Sequence, residues 1–565
     1  MLKFENYPYE RPKMAEINDQ FDGLLKNFVN ASSLEAAKAA LQEINRLRSR
    51  LSTLENLVYI RSTVDVSDPF YQKEREFFDA VMPEFEERVT RFYRALADSA
   101  YRKELEKEFG SQLFKLAEYK IKSFSEEVIP LLQEENKLTT EYEKLGASAQ
   151  IKFRGKTWTL SQLDFFLQDP DRDTRKEAAA LKYGFFADHA ETYNEIFDKL
   201  VKLRNERAVK LGYKNFVELG YLLMNRIDYD ARMVGAFRKQ VREHIVPVAA
   251  EIYKRQRERI GVDALKFYDE SFYFRSGNAK PKGPTEWMIE NGKTMYRGLA
   301  KETEEFFQFM LDRNLMDLES KPNKAPGGYC TYLEDYQSPF IFANFNGTAG
   351  DVNVLTHEFG HAFQVYCSRD FSVPEYFHPT HESAEISSMS MEFFTWPWMH
   401  LFFGEDALKY QYSHLTDALT FIPYGAAVDE FQHLVYANPD WTPQERNQAW
   451  RQLEHIYLPH RDYDGNEYLE GGGYWHRQLH IFEDPFYYID YTLAQICAFQ
   501  FWKRDREDHE GAWQDYVRLC RLGGSRSFLN LAKAANLRSP FEKGTVSSVI
   551  APIKEWLEQV DDKAL

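Results

Sequence analysis

Cysteine is scarce: Cys330, Cys367, Cys497 and Cys520 are the whole complement of a 565-residue chain, and no C-x-x-C pair occurs. That scarcity excludes a disulfide framework and points to free thiols in a reducing cytoplasm. Positive charge is also short. Lys and Arg number 71 against 88 Asp and Glu, a formal net charge of −17, and no basic run could track a phosphate backbone. Nucleic acid and anionic membrane surfaces are therefore not expected partners. No apolar run is long enough to span a bilayer, and MLKFENYPYERPKMAEINDQ at the amino terminus carries no apolar secretory core. Internal repeats and low-complexity tracts are missing too. The expectation is a cytoplasmic globular protein of roughly two to four structural units.

Aromatic residues are abundant, with 44 Phe, 34 Tyr and 10 Trp. Most belong in a core, while surplus tyrosines suit the walls of a wet cavity, each having an apolar body and a polar tip. From about Leu34 to Leu145 apolar residues recur at helical spacing, as with Leu34, Ala37, Leu41, Ile44 and Leu51. IKFRGKTWTL then predicts a hairpin around Gly155, and helical pattern resumes to about Ala264. FRSGNAKPKGPTE (Phe274–Glu286) and KPNKAPGGYCTYL, from Lys321, carry the Gly and Pro of loops. YCTYLEDYQSPFIFANFNGTAGD is strand-like, and helices dominate after it. The expected class is mainly α with a small sheet. Three regions are expected: 1–150, helical; 151–320, helical with the hairpin; and 321–565, carrying the chemistry.

That chemistry centres on TAGDVNVLTHEFGHAFQVY (Thr348–Tyr366). Residues four apart on a helix share a face, so His357 and His361 can bind one metal ion. Glu358 lies beside them, able to reach a water without being a ligand. Thr348 or Asp351 is placed to cap the helix. A catalytic zinc takes three protein ligands. A third histidine six residues on is ruled out, because that position holds Cys367. The segment HPTHESAEISSMSMEFF instead offers Glu382, Glu385 and Glu392 on one helical face, with Glu392 suited to orienting a ligand. His378 and His381 are lesser candidates.

FNGTAGDVNVLTHEFGHAF, HESAEISSMSMEFF and HIFEDPFYYIDYTLAQICAFQFW together resemble the thimet-oligopeptidase-like zinc metallopeptidases, and most closely their oligoendopeptidase F branch. The resemblance is strong from about Gly327 to Trp502. It implies one zinc per chain on His357, His361 and Glu385, with Glu358 as base. It also implies assistance at the scissile carbonyl from His480, Tyr488 and Tyr491, where IFEDPFYY replaces the Gly-Gly-Tyr segment of thimet-type members. Tyr487 is expected in an aromatic core. The implied fold is a two-lobed helical body around a deep central channel, with its small sheet beside the active-site helix.

Zinc acidifies bound water to a pKa of about 7 and polarises a carbonyl, which suits amide hydrolysis. The expected function is cleavage of internal bonds in short unfolded oligopeptides. PFIFANFNGT is expected to be an edge strand whose Ala343 and Phe345 pair with substrate backbone. Gly471, Gly472 and Gly473, just before Tyr474, are expected to form a mobile loop over substrate. Two other readings stand beside this one. A helical dipeptidyl carboxypeptidase also tolerates H-E-x-x-H with a distant Glu, but favours an acid where this chain has Met389. A non-catalytic peptide-binding protein has no use for Glu358. The sequence assigns no oligomeric state.

Overall fold

In the computed structural model the described residues are 2–321, 323–325 and 327–565. The helical spacing near Leu34 produces a 31-residue helix, α1 (Leu34–Val64), capped by the Ser33 hydroxyl, which accepts the Ala36 N–H at 3.1 Å. Ala37, Leu41, Ile44 and Leu51 are all buried on it. With its neighbours up to Ser123 it encloses a core of Phe21, Leu41, Phe85, Phe92 and Leu96. Val373 and Tyr376, from a distant part of the chain, complete that core. The Tyr376 hydroxyl donates to Phe109 O at 2.7 Å and accepts the Leu113 N–H at 2.9 Å, which stitches the amino-terminal helices to the rest.

The predicted hairpin forms from β1 (Ile151–Phe153) and β2 (Lys156–Trp158), paired antiparallel. Its two turn residues, Arg154 and Gly155, both have positive φ, as the twist of a two-residue hairpin requires. Overall the chain is 71% helical with two small sheets, a mainly α architecture. Among the described residues no helix is long and apolar enough to cross a membrane, and all four cysteines are free. Pro322 and Pro326, within the segment expected as a loop from Lys321, lie outside the described residues.

The second sheet has three strands: β3 (Met316–Glu319), β4 (Tyr329–Leu333) and β5 (Ser338–Phe345), in the order β3-β5-β4. β3 runs parallel to β5 and β4 antiparallel to it. This corrects the expected edge: β5 is the central strand, with a neighbour on each side, and both Ala343 and Phe345 are buried. Its run of apolar residues is the pattern of a strand covered on both faces. The edge nearer the histidine motif is β4: a Cβ on Gly328, the residue just before it, would stand 3.7 Å from Glu358 Oε1, and the Cys330 thiol feels the Glu358 charge.

From β5 the chain turns into α2 (Ala349–Ser368). Thr348 occupies the cap position without a side-chain cap bond. Asp351 instead accepts the N–H groups of Asn346 and Gly347 at 2.9 and 2.7 Å, which fixes the turn. Four further helices matter to the site: α3 (His381–Phe394), α4 (Ala407–Ala437), α5 (Tyr488–Glu507) and α6 (His509–Leu522).

Candidate metal centre

α2 presents His357 and His361 from one face, with ring centroids 5.0 Å apart. α3 crosses it and brings in Glu385, whose Oε2 lies 3.3 Å from His357 Nε2 and 3.4 Å from His361 Nε2. A tetrahedral ion with bonds of about 2.0–2.1 Å sets its ligands about 3.3–3.4 Å apart, so these separations are those of ligand atoms around one ion. Two imidazoles and a carboxylate are also the donor set zinc takes in hydrolytic sites. Among the described residues this is the one group of three that could hold a metal.

The approach of α3 depends on Gly360. A methyl group there would stand 2.7 Å from Ser387 O and 2.7 Å from Ser388 Cα, so only glycine lets the two backbones come this close. Glu385 rides on the same stretch of α3 and reaches the histidines for that reason. Its carboxylate is then fixed from two sides: the Tyr487 hydroxyl donates to Oε1 at 2.7 Å and the Ser388 hydroxyl to Oε2 at 2.9 Å.

Glu392 accepts from His357 Nδ1 at 2.7 Å and from His414 Nε2 at 2.6 Å. Trp396 Nε1–H donates to His414 Nδ1 at 3.1 Å, which leaves the His414 proton on Nε2, facing Glu392. The same carboxylate holds the His357 proton on Nδ1 and so keeps the Nε2 lone pair turned toward Glu385. Burial opposes the charge on Glu392, but the hydrogen bonds from His357 and His414 hold its carboxyl down to about 2. Glu358 is buried without such a clamp. Burial raises its carboxyl above the usual range, while the His357 and His361 imidazoles pull it partly back.

Opposite the triad, the residues at the start of α5 converge with His480. Tyr424 OH donates to Gln478 Oε1 at 2.8 Å, and Gln478 Nε2 lies 2.9 Å from His480 Nδ1. The His480 proton therefore sits on Nε2, which is 3.4 Å from Tyr491 OH. Burial lowers His480 to about 4, so the ring is a neutral donor at neutral pH. Tyr488 packs against His480, Phe421 and Tyr424 at centroid distances of 5.0, 5.5 and 5.7 Å. The turn ahead of α5 is strained: Phe486 has φ of +71°, unusual for a bulky residue. Arg226 donates to Phe486 O at 2.5 Å and to Asp490 at 2.7 Å, while Gln432 accepts the Phe486 N–H at 2.8 Å. This clamp sets the pitch at which Tyr487, Tyr488 and Tyr491 enter the site.

Several expected placements change. Tyr487, expected in the core, reaches Glu385 instead. Glu382 is buried away from the histidines, beside Asp490 and Arg226, and burial raises its carboxyl far above the usual range. His378 and His381 stay outside the ligand group; the His381 ring packs on Tyr487 at 4.4 Å. Tyr474 is buried, in hydrogen-bond contact with Arg477. The glycine run is packed rather than free: a Cβ on Gly472 would fall 2.0 Å from Asn447 O, so it serves as a tight connector. Sequence reasoning did not find Trp396, His414, Ser388 or Gly360. Only Gly360 left a signal, as the glycine inside HEFGH.

Comparison with known proteins places the chain in a family. The Peptidase M3 N-terminal domain matches residues 4–124, and Peptidase family M3 matches residues 165–291 and 300–549. Oligopeptidase PepF of Bacillus subtilis (strain 168) is 22% identical over 572 residues, covering 94% of this chain and 81% of the relative. An oligoendopeptidase F homolog of Borreliella burgdorferi is 22% identical over 457 residues, 76% of this chain and 75% of that one. The solved structure of PZ peptidase A with inhibitor 2 is 57% identical, covers 99% of this chain and 100% of its own, and superposes with a TM-score of 0.97. With family matches across most of its length, the chain belongs to peptidase family M3, as a metallopeptidase of the oligoendopeptidase F branch.

Proposed function

We propose that the chain is a zinc-dependent endopeptidase that cuts internal bonds of short unfolded oligopeptides in the cytoplasm. His357, His361 and Glu385 would hold the ion, and region 321–565 would carry catalysis, with 151–320 forming part of the wall of a central channel and 1–150 the amino-terminal helical region. When bound, such an ion acidifies a water and polarises the carbonyl to be attacked. Glu358, a carboxylate whose proton affinity is raised by burial, would take a proton from the attacking water and return it to the leaving amine. His480 Nε2–H and the hydroxyls of Tyr488 and Tyr491 donate to the oxyanion that develops on the carbonyl. The outer edge of β4 at its Tyr329 end, beside Glu358, pairs with the extended backbone of the substrate.

The observation that carries this reading is the spacing of the three donor atoms, 3.3 and 3.4 Å across two separate helices, with a buried unclamped carboxylate one residue from the first histidine. A purely structural metal site has no need of Glu358 there. Incubating the enzyme with peptides blocked at both ends, and reading products by mass spectrometry, tests it. Internal cleavage is expected; blocked peptides left uncut, with dipeptides released only from unblocked counterparts run in parallel, would favour the exopeptidase instead.

A further inference from the structure

Beyond His480 the aromatic wall continues through Tyr488 and Tyr424 to Tyr474, whose ring lies 6.1 Å from that of Tyr424. Three cations surround Tyr474. Two have acids in direct contact: Arg461 pairs with Glu270 at 2.7 Å, and Lys182 pairs with Asp164. Arg477 differs. Its guanidinium donates to the Tyr474 hydroxyl and stands 4.9 Å from the Tyr474 ring centroid, and among the described residues no carboxylate is in direct contact with it; Asp164, already paired with Lys182, acts on it only at longer range. It is exposed, although the aromatic residues beside it are buried or half-buried. In a chain of net charge −17, acid was available to neutralise it.

We infer that Arg477, held by Tyr474, recognises a carboxylate of the peptide substrate. A guanidinium has five N–H donors, and the bond to Tyr474 uses one. Its remaining edge can take a carboxylate through two parallel N–H···O bonds, the geometry in which Arg outperforms Lys. The phenol bond and the ring contact fix the fork before the ligand arrives, which lowers the entropy cost of binding. Tyr474 is thus a positioning residue for Arg477.

The spacing along the substrate follows from the chain. His480 follows Arg477 by three positions, with Gln478 and Leu479 between them, which bounds their Cα distance at about 10–11 Å. An extended peptide rises about 3.3 Å per residue. The group that Arg477 meets is therefore within about four residues of the bond being cut. An Asp or Glu side chain and a free carboxyl terminus share this chemistry.

The inference rests on the proposed peptidase reading, and its test separates the two. A blocked peptide series carries Glu or Gln at each of those positions, and a second pair ends in a free acid or an amide. In the wild type, kcat/KM favours the carboxylate member by about 10- to 100-fold at one position or at the terminus, and which pair responds identifies the source. In Arg477→Gln that ratio falls to near one; in Arg477→Lys it is intermediate; in Tyr474→Phe it drops with the guanidinium still present. A wild-type ratio near one in every pair, or a preference that survives in Arg477→Gln, overturns the carboxylate site while leaving the peptidase reading intact. Glu358→Gln, run alongside, loses hydrolysis of every member if that reading holds.

Discussion

Replacing Gly360 with Ala tests how the centre is assembled without touching any ligand. The added methyl would lie 2.7 Å from Ser387 O and Ser388 Cα and 3.0 Å from Met391 Cβ. The first two are backbone atoms of α3 and cannot rotate away. Ordinary contact begins near 3.4 Å, so α3 must retreat by about 0.7 Å. Glu385 moves with it, and the separations of 3.3 and 3.4 Å from the histidines open to about 4 Å. A tetrahedral ion with bonds of about 2.0–2.2 Å spans ligand edges of only about 3.3–3.6 Å, so it loses the carboxylate or binds it poorly. Metal affinity should fall by about 100-fold, or ~2.7 kcal/mol. The overpacked helix contact costs a further ~1–3 kcal/mol of stability. Competition with a chromophoric chelator measures the first quantity, and denaturant unfolding of the metal-free protein the second. A Gly360→Ala protein that binds zinc within twofold of wild type would refute the argument that this close approach builds the site.

Other perturbations address single groups. Glu392→Gln leaves one acceptor for two imidazole N–H groups, and His414 cannot shift its proton without losing Trp396; metal affinity should drop about 10- to 100-fold in chelator competition. Glu358→Gln should keep the metal and lower kcat by about 10²–10⁴, measured on a blocked peptide. Folding stability should decline in acid because burial holds His476 down to about 3 against 6.5 in the unfolded chain. The unfolded state then takes the proton first, so stability is full above pH 6.5 and is lost as pH falls toward 3, by up to a few kcal/mol. Denaturant midpoints across that window should fall with pH, and His476→Gln should flatten the slope.

The helices were legible because each buries a stripe, as Ala37, Leu41, Ile44 and Leu51 do on α1. The hairpin was legible from its turn at Gly155. The histidine pair was legible because one helical turn fixes both residues on a face; for the third group the spacing allowed a returning helix that offers Glu382 as well as Glu385, and the family resemblance singled out Glu385. Contacts between distant segments were not. β3 is four residues long and leaves no period to read, so β5 looked like an edge when it is the strand between β3 and β4. His414 and Tyr487 come to the site from 22 residues beyond Glu392 and 102 beyond Glu385, separations that no local pattern encodes. The glycine run before Tyr474 looked mobile from composition alone. Its actual constraint, the Asn447 carbonyl beneath Gly472, belongs to another helix.

The central claim is that imidazoles from α2 and a carboxylate from α3 together hold the ion that makes this chain a peptidase. Metal content by mass spectrometry of purified wild type, Glu358→Gln and Glu385→Ala tests it most directly. The account predicts one equivalent of zinc in the first two and almost none in the third. A full equivalent retained in Glu385→Ala would contradict it.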